Sequence, residues 1–343
     1  MAKIITNMNA KTNDLKQIGF YTLSDERVKN ASETSRMMRC ELIITEYCNF
    51  KCPYCRGLKP EVFGGRTLKQ LSIEEIKKAI DFWCEGEKPL YAIRFSGGEP
   101  TLHKNIREAV AYAKQKGIER IAISSNGSNS PELYKELIEL GCNDFSISLD
   151  ACCSVVGDTM AGNISGAFEK VVENIKMLST LTYVTVGVVL TEENVNQLVD
   201  TVTFAYKLGV SDIRIISAAQ WNKKLPQLEA IHPNILNMYP ILRYRVSGLI
   251  HGATVRGLFP VDSKKCAIVL DDSVIAGTKH YPCVIYMREG GAPIGDVGPN
   301  MREERKKWHD NHNTHCDPIC SKNCLDVCRD HNNKHEFYST TST

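Results

Sequence analysis

Three cysteines in one short stretch, Cys48-Asn-Phe-Lys-Cys52-Pro-Tyr-Cys55, are the residues of this chain best spaced for metal chemistry. The C-x3-C-x2-C spacing puts three thiolates in one tight loop. Such a set can hold three corners of an iron–sulfur cube and leave the fourth iron without a protein ligand. An open metal position marks a catalytic site rather than a structural one. The competing readings are a structural zinc loop, which wants four ligands where the loop shows three, and three unconnected buried cysteines. Tyr54, beside the last cysteine, could cover a cluster or pack on a ligand. A second stretch, Ser96-Gly97-Gly98-Glu99-Pro100, pairs two glycines that let backbone approach a ligand closely with an acid that can take an ammonium group. Alone it could equally be a turn. Further polar residues follow in Ser125-Asn126-Gly127 and Ser148-Leu149-Asp150.

These stretches need a scaffold, and the pattern around them supplies one. Short apolar runs with β-branched residues at 41–45, 92–96, 121–125, 144–149, 184–190 and 213–218 read as strands. Helical patterns lie between them. Ser72 and Glu75 make a capping box for a helix reaching Trp83. Patterns over 103–116, 131–140 and 194–208 stop at Gly117, Gly141 and Gly209, and another covers 164–178. Alternating strands and helices joined by right-handed crossovers predict an α/β fold with a parallel sheet, open or curled into a partial barrel. Ligands of such folds sit at the carboxyl ends of the strands, where all four polar stretches fall. The expected organisation is an N-terminal arm over 1–39, a core over 40–220 and a C-terminal region over 221–343.

Composition sets the setting. The chain has 343 residues and 14 Cys, yet residues 1–20 contain no continuous apolar run of a secretory signal. No stretch reaches the roughly 18 apolar residues of a membrane span. The expected location is therefore the cytoplasm, where thiols stay reduced, so the cysteines point to metal or cluster ligation or to inert burial. A formal charge of +2 gives no strong nucleic-acid signature.

Cys48, Cys52, Tyr54 and Cys55, with the Gly97-Gly98-Glu99-Pro100 stretch, resemble the radical S-adenosylmethionine (radical SAM) superfamily over about residues 40–220. The resemblance implies a partial (β/α)6 TIM-like barrel. It implies a [4Fe–4S] cluster on the three cysteines, and SAM bound with its amino group at Gly97, Gly98 and Glu99 and its carboxylate and ribose near Asn126 and Ser148. One-electron cleavage of SAM would then give a 5′-deoxyadenosyl radical that abstracts hydrogen from a small-molecule, nucleoside or peptide substrate. A reductant such as flavodoxin or ferredoxin is implied as partner.

Six further cysteines lie near the C-terminus. Cys266 and Cys283 flank Gly277, and Cys316, Cys320, Cys324 and Cys328 recur every fourth residue. On a single helix the ends of that run would be ~18 Å apart, too far for one cluster, and Pro318 argues against a regular helix. Residues 263–343 hold too few periodic segments to build a core unaided. The segment resembles the twitch or SPASM extensions of the superfamily, which implies one or two auxiliary iron–sulfur clusters. Its x3-x3-x3 spacing departs from the commoner pattern. A zinc knuckle using His309, His312 or His315 is the alternative.

Other residues carry lesser expectations. Cys152 and Cys153 follow Asp150 and could donate a hydrogen atom, or could be small buried residues. Cys40, Cys84 and Cys142 read as core. Arg243, Arg245 and Arg256 could grip an anionic substrate or be solvated surface. The run 302–307 reads as a solvated helix face. Against a radical enzyme of unidentified substrate stand a cofactor-pathway enzyme like the molybdenum-cofactor GTP cyclase and a non-catalytic iron–sulfur or zinc protein. The barrel motifs resemble the cyclase. Its Gly-Gly end is replaced here by Ser-Thr-Thr-Ser-Thr, and the arm is too short for a separate leader-peptide domain.

Overall fold

The structure, a computed structural model, describes residues 25–58, 70–84, 90–218 and 223–341. Residues 1–24 of the expected arm and 221–222 of the expected bridge lie outside the described residues. Along the chain run α1 (Asp25–Asn30), β1 (Arg39–Thr45), α2 (Ile73–Trp83), β2 (Ala92–Gly97), α3 (Ile106–Gln115), β3 (Arg120–Ser125), α4 (Pro131–Glu139) and β4 (Asp144–Ser148). Then come α5 (Ser154–Met160), α6 (Ala167–Leu181), β5 (Tyr183–Leu190), α7 (Leu198–Lys207) and β6 (Asp212–Ser217). The remainder forms α8 (Pro233–Met238), α9 (Pro240–Ile250), β7 (Asp272–Ala276), β8 (Lys279–Tyr281), α10 (Val284–Arg288), β9 (Gly295–Asp296), α11 (Met301–Asn311), α12 (Pro318–Asn323) and α13 (Asp326–Thr341). All six expected strands are present. The capping box closes both ways, with Glu75 N–H donating to Ser72 Oγ at 3.2 Å and Ser72 N–H to Glu75 Oε2 at 2.7 Å.

The described chain divides into two compact units that do not follow chain order. One holds residues 48–55 and 122–255. Here β3, β4, β5 and β6 pair in parallel, each with the next, so that Asp144 lies opposite both Ala122 and Tyr183, and Thr185 opposite Asp212. Ile123, Phe145, Ile147, Val186, Ile213 and Ile215 are fully buried. Helix α6 packs against β5 and buries Val171, Ile175 and Leu178, spaced at i, i+4 and i+7 as an amphipathic helix requires. At the start of β6 the Asp212 carboxylate accepts the N–H groups of Ile241 and Leu242, satisfying orphan donors at the first turn of α9.

The other unit holds residues up to 47, 56–121 and 256–341. Strand β1 pairs in parallel with β2 on one side and β7 on the other, and β8 and β9 continue antiparallel. The C-terminal segment thus borrows β1 as the partner for its own first strand. The described part of the arm is tied in as well: Arg27 of α1 pairs with Asp271, and Lys334 of α13 with Asp25 at 2.6 Å. The solvated-face expectation for 302–307 holds at Glu303, Lys306 and Lys307, which are exposed, and is corrected at Arg305. Arg305 is 1% exposed and donates to the carbonyls of Val269, Tyr281 and Asp272. A guanidinium's several donors gather three carbonyls around the β7–β8 hairpin, which a pattern of alternating charge does not reveal. Arg245 and Arg256 are buried too, and Arg243 alone of that set is exposed.

Burial pushes Asp212 up to about 7, against the downward pull of the N–H groups it accepts. Its folded-state value thus lies above the ~4 of an exposed aspartate. The folded chain holds that proton more tightly than the unfolded one. This stability is full below about pH 4 and is lost as pH rises through about 7. Asp212→Asn keeps an acceptor oxygen and removes the titration. Between about pH 5 and pH 8 it is expected to flatten the fall in thermal midpoint by a few degrees. Parallel curves for the two proteins would rule this account out.

Candidate functional site

The cysteine loop has little regular structure of its own, so other elements must hold it. On one side stands Asn126, immediately after β3. Its Nδ2 lies 3.7 Å from Cys48 Sγ and 2.8 Å from Asn49 Oδ1, and its Oδ1 accepts the Ser128 N–H. Asn49 in turn donates to Ser128 Oγ at 2.8 Å. The Phe50 N–H also points at Cys48 Sγ, at 3.4 Å. On the other side, just after β4, Asp150 accepts the Tyr54 hydroxyl at 2.5 Å and the Val189 N–H at 2.7 Å. Asn194 completes this corner by donating to the carbonyls of Asp150 and Val189. Between the two, Lys51 N–H donates to Ala161 O at 3.0 Å, and a Cβ at Gly162 would collide with Lys51. Glycine is what lets the chain after α5 come that close.

The three thiols are half-buried and near one another. Burial pushes Cys52 up to about 12, with Asp150, Cys55 and Cys48 adding to the rise. Burial likewise raises Asp150 to about 6 and Tyr54 well above 10. This crowding of acids suits a bound cation. The two N–H donors aimed at Cys48 Sγ are what a thiolate ligand accepts. The residues therefore fit an iron–sulfur cluster held by three cysteines.

Beside the loop is a pocket open to solvent. Cys52, Tyr54, Asn126, Ser148 and Asp150 give it a polar side, and Met160, Phe168 and Val171 an apolar one. Such a mixed lining suits a ligand with both a charged group and a ring. The site thus gathers Asn126 and Ser148 with the cysteine loop. Cys152 and Cys153 are not among the described residues lining the pocket. Cys152 Sγ points to Gln197 Oε1 at 3.9 Å, and Cys153 precedes α5. Asp150 had no assigned role in the sequence reading. The one signal that could find it is its place in the polar strand end Ser148-Leu149-Asp150.

Gly97, Gly98 and Glu99 close β2 within the other unit. Gly98 N–H donates to Thr45 O at 2.8 Å and Glu99 N–H to Tyr47 O at 2.7 Å, so this turn lies flat on the chain leading into Cys48. A Cβ at Gly97 would meet Thr45 O, and one at Gly98 would meet Tyr47 O. The Glu99 side chain is fully buried, and its Oε1 accepts the N–H and hydroxyl of Thr101.

The same unit holds the six C-terminal cysteines. Cys266 and Cys283 flank the β7–β8 hairpin, which turns at Gly277 with φ +63°. The run from Cys316 is broken into two helices. Pro318 opens α12 at its first turn, Asp317 caps it, and the chain bends at Cys324 before α13. The bend lets Cys320, Cys324 and Cys328 converge on Cys266 and Cys283, and each of these three is raised by burial first and then by its cysteine neighbours. Cys316 is exposed.

Residues 42–205 match the family model of the radical SAM superfamily. The chain carries a radical SAM domain. A probable GTP 3′,8-cyclase of Sulfurisphaera tokodaii is 27% identical over 55% of this chain and 61% of its own length. A PqqA peptide cyclase of Bradyrhizobium diazoefficiens is 27% identical over 62% of this chain and 55% of its own. The chain therefore spans less than two thirds of either relative. Streptococcus suis SuiB, solved bound to precursor peptide SuiA, superposes with a TM-score of 0.58 at 11% identity, covering 91% of this chain and 73% of that one. That likeness shows the fold alone, an α/β partial barrel. Proteins with this domain use a [4Fe–4S] cluster and SAM. Among the described residues no helix is long and apolar enough to cross a membrane.

The glycine turn of this domain makes a stability prediction. Gly98→Ala drives a methyl group into backbone and is expected to lower the thermal midpoint by about 5–10 °C. Gly209→Ala, at φ +76° with nothing within 4 Å of the added Cβ, should cost about 2–4 °C. Equal losses in a thermal melt would show that the turn is not held against Thr45 and Tyr47.

Proposed function

We propose that this chain is a radical SAM enzyme that modifies a peptide or small-molecule substrate and carries an auxiliary iron–sulfur site over 221–343. The observation that carries the reading is the three-cysteine loop pinned at both ends beside a pocket with a polar and an apolar wall. When bound, the cluster and SAM supply one-electron cleavage of SAM to methionine and a hydrogen-abstracting 5′-deoxyadenosyl radical.

The chain's own residues place and protect. Cys48, Cys52 and Cys55 hold the cluster. Asn126 and the Phe50 N–H orient Cys48, and the Tyr54–Asp150 bond fixes the far side of the loop. Gly97, Gly98 and Glu99 bind the SAM amino group, while Asn126 and Ser148 face its carboxylate and ribose. Met160, Phe168 and Val171 keep water from the apolar side. The chain works in the cytoplasm with a flavodoxin- or ferredoxin-type reductant. A nucleotide substrate is supported by the likeness to a GTP 3′,8-cyclase, and a peptide by that to a PqqA peptide cyclase.

After anaerobic reconstitution, Cys48→Ala is expected to form no 5′-deoxyadenosine above background by mass spectrometry. Asn126→Ala removes a partner of the ligand rather than a ligand, and is expected to cost about 10- to 100-fold. Wild-type levels from the Cys48→Ala protein would overturn the reading.

A further inference from the structure

Cys320 has a second set of neighbours that iron–sulfur ligation does not use. His312 follows α11, Asp317 caps α12, and Cys320 lies in the first turn of α12. His312 Nε2 is 3.7 Å from Cys320 Sγ and 3.6 Å from Asp317 Oδ2. One ligand atom from each of the three lies within 4.8 Å of the others. We propose that His312, Asp317 and Cys320 bind a single zinc ion, separate from any iron–sulfur cluster.

The distances support it. Zinc bonds of about 2.0–2.3 Å at tetrahedral angles put neighbouring ligand atoms about 3.3–3.7 Å apart. Two edges of such a tetrahedron are already formed. The donor set of one imidazole nitrogen, one carboxylate oxygen and one thiol suits zinc rather than magnesium or calcium, which take oxygen ligands.

Two of the three ligands, His312 and Asp317, are also aimed by groups that do not bind the ion. Trp308 stacks on the His312 ring with centroids 3.9 Å apart and planes 17° apart. Tyr286 donates its hydroxyl to Asp317 Oδ2 at 3.0 Å. The other oxygen of Asp317 accepts the N–H groups of Ile319 and Cys320, both at 2.8 Å. Supports of this kind fix the rotamers of metal ligands. The fourth position is left to water. The division leaves Cys266, Cys283, Cys324 and Cys328 as a complete four-thiolate set for iron and sulfide.

The test uses the full chain, reconstituted anaerobically with iron and sulfide, supplied with zinc and dialysed, with both metals counted per chain. The wild type is expected to hold one zinc. His312→Ala should lower zinc occupancy about 10-fold or more and leave iron unchanged. The triple variant Cys48→Ala, Cys52→Ala, Cys55→Ala should keep its zinc, which separates this site from the SAM reading. In the chain loaded with cobalt in place of zinc, a thiolate-to-cobalt charge-transfer band is expected, and Cys320→Ser should remove it. That spectrum keeps the proposal testable even where His312→Ala fails to fold. Wild-type protein without zinc or without the cobalt band overturns the proposal. So does a His312→Ala protein that loses iron instead of zinc, since His312 would then serve the cluster.

Discussion

The Tyr54–Asp150 hydrogen bond is the constraint on which the candidate site rests. The loop with three cysteines and a proline, residues 48–55, forms no helix or strand of its own. Left free, it would spread its thiols over many arrangements, and ordering it costs about 1–2 kcal/mol per residue. The cost is offset from outside. Tyr54 and Asp150 hold one end, Asn126, Asn49 and Ser128 the other, and Lys51 is tied to Ala161 in between. Asp150 is itself fixed by Val189 and Asn194. Two consecutive parallel strands therefore supply the rigidity that the loop lacks, and the pocket opens where they end.

Electrostatics explains why thiols are gathered in two places rather than scattered. Burial raises every shifted cysteine in the chain, and in both groups cysteine neighbours raise it further. Bringing such groups together costs free energy unless a cation compensates. Cys40 and Cys142 show the other outcome. They are buried in the core, and their thiols stay protonated as small apolar groups.

What the sequence revealed follows from which features are local. Six strands were legible because each is a short apolar run containing β-branched residues between helical patterns. The cysteine spacing and the glycine pair are contiguous, so the three thiols of the candidate site and the tight turn at Gly97-Gly98 are legible directly. The partners of these residues could not. Asp150 meets Tyr54 across 96 residues, and Asn126 meets Cys48 across 78. Neither pairing leaves a periodic trace. Strand β7 is five residues long, too short to show a period, and its role depends on β1. The run around Arg305 misled for a related reason. Charge pattern reports what a helix carries, not which carbonyls wait to receive it.

The pairing of β1 with β7 also bears on the order of events during synthesis. Arg39 of β1 bonds Asp272 of β7, 233 positions later in the chain. Until the ribosome has delivered that segment, one side of β1 is a bare edge, with unpaired backbone groups beside apolar Leu42 and Ile44. The nascent chain must therefore carry an open, sticky strand through most of its translation. A chain cut short before residue 272 would keep that edge permanently. It would self-associate through β1 before any question of catalysis arose.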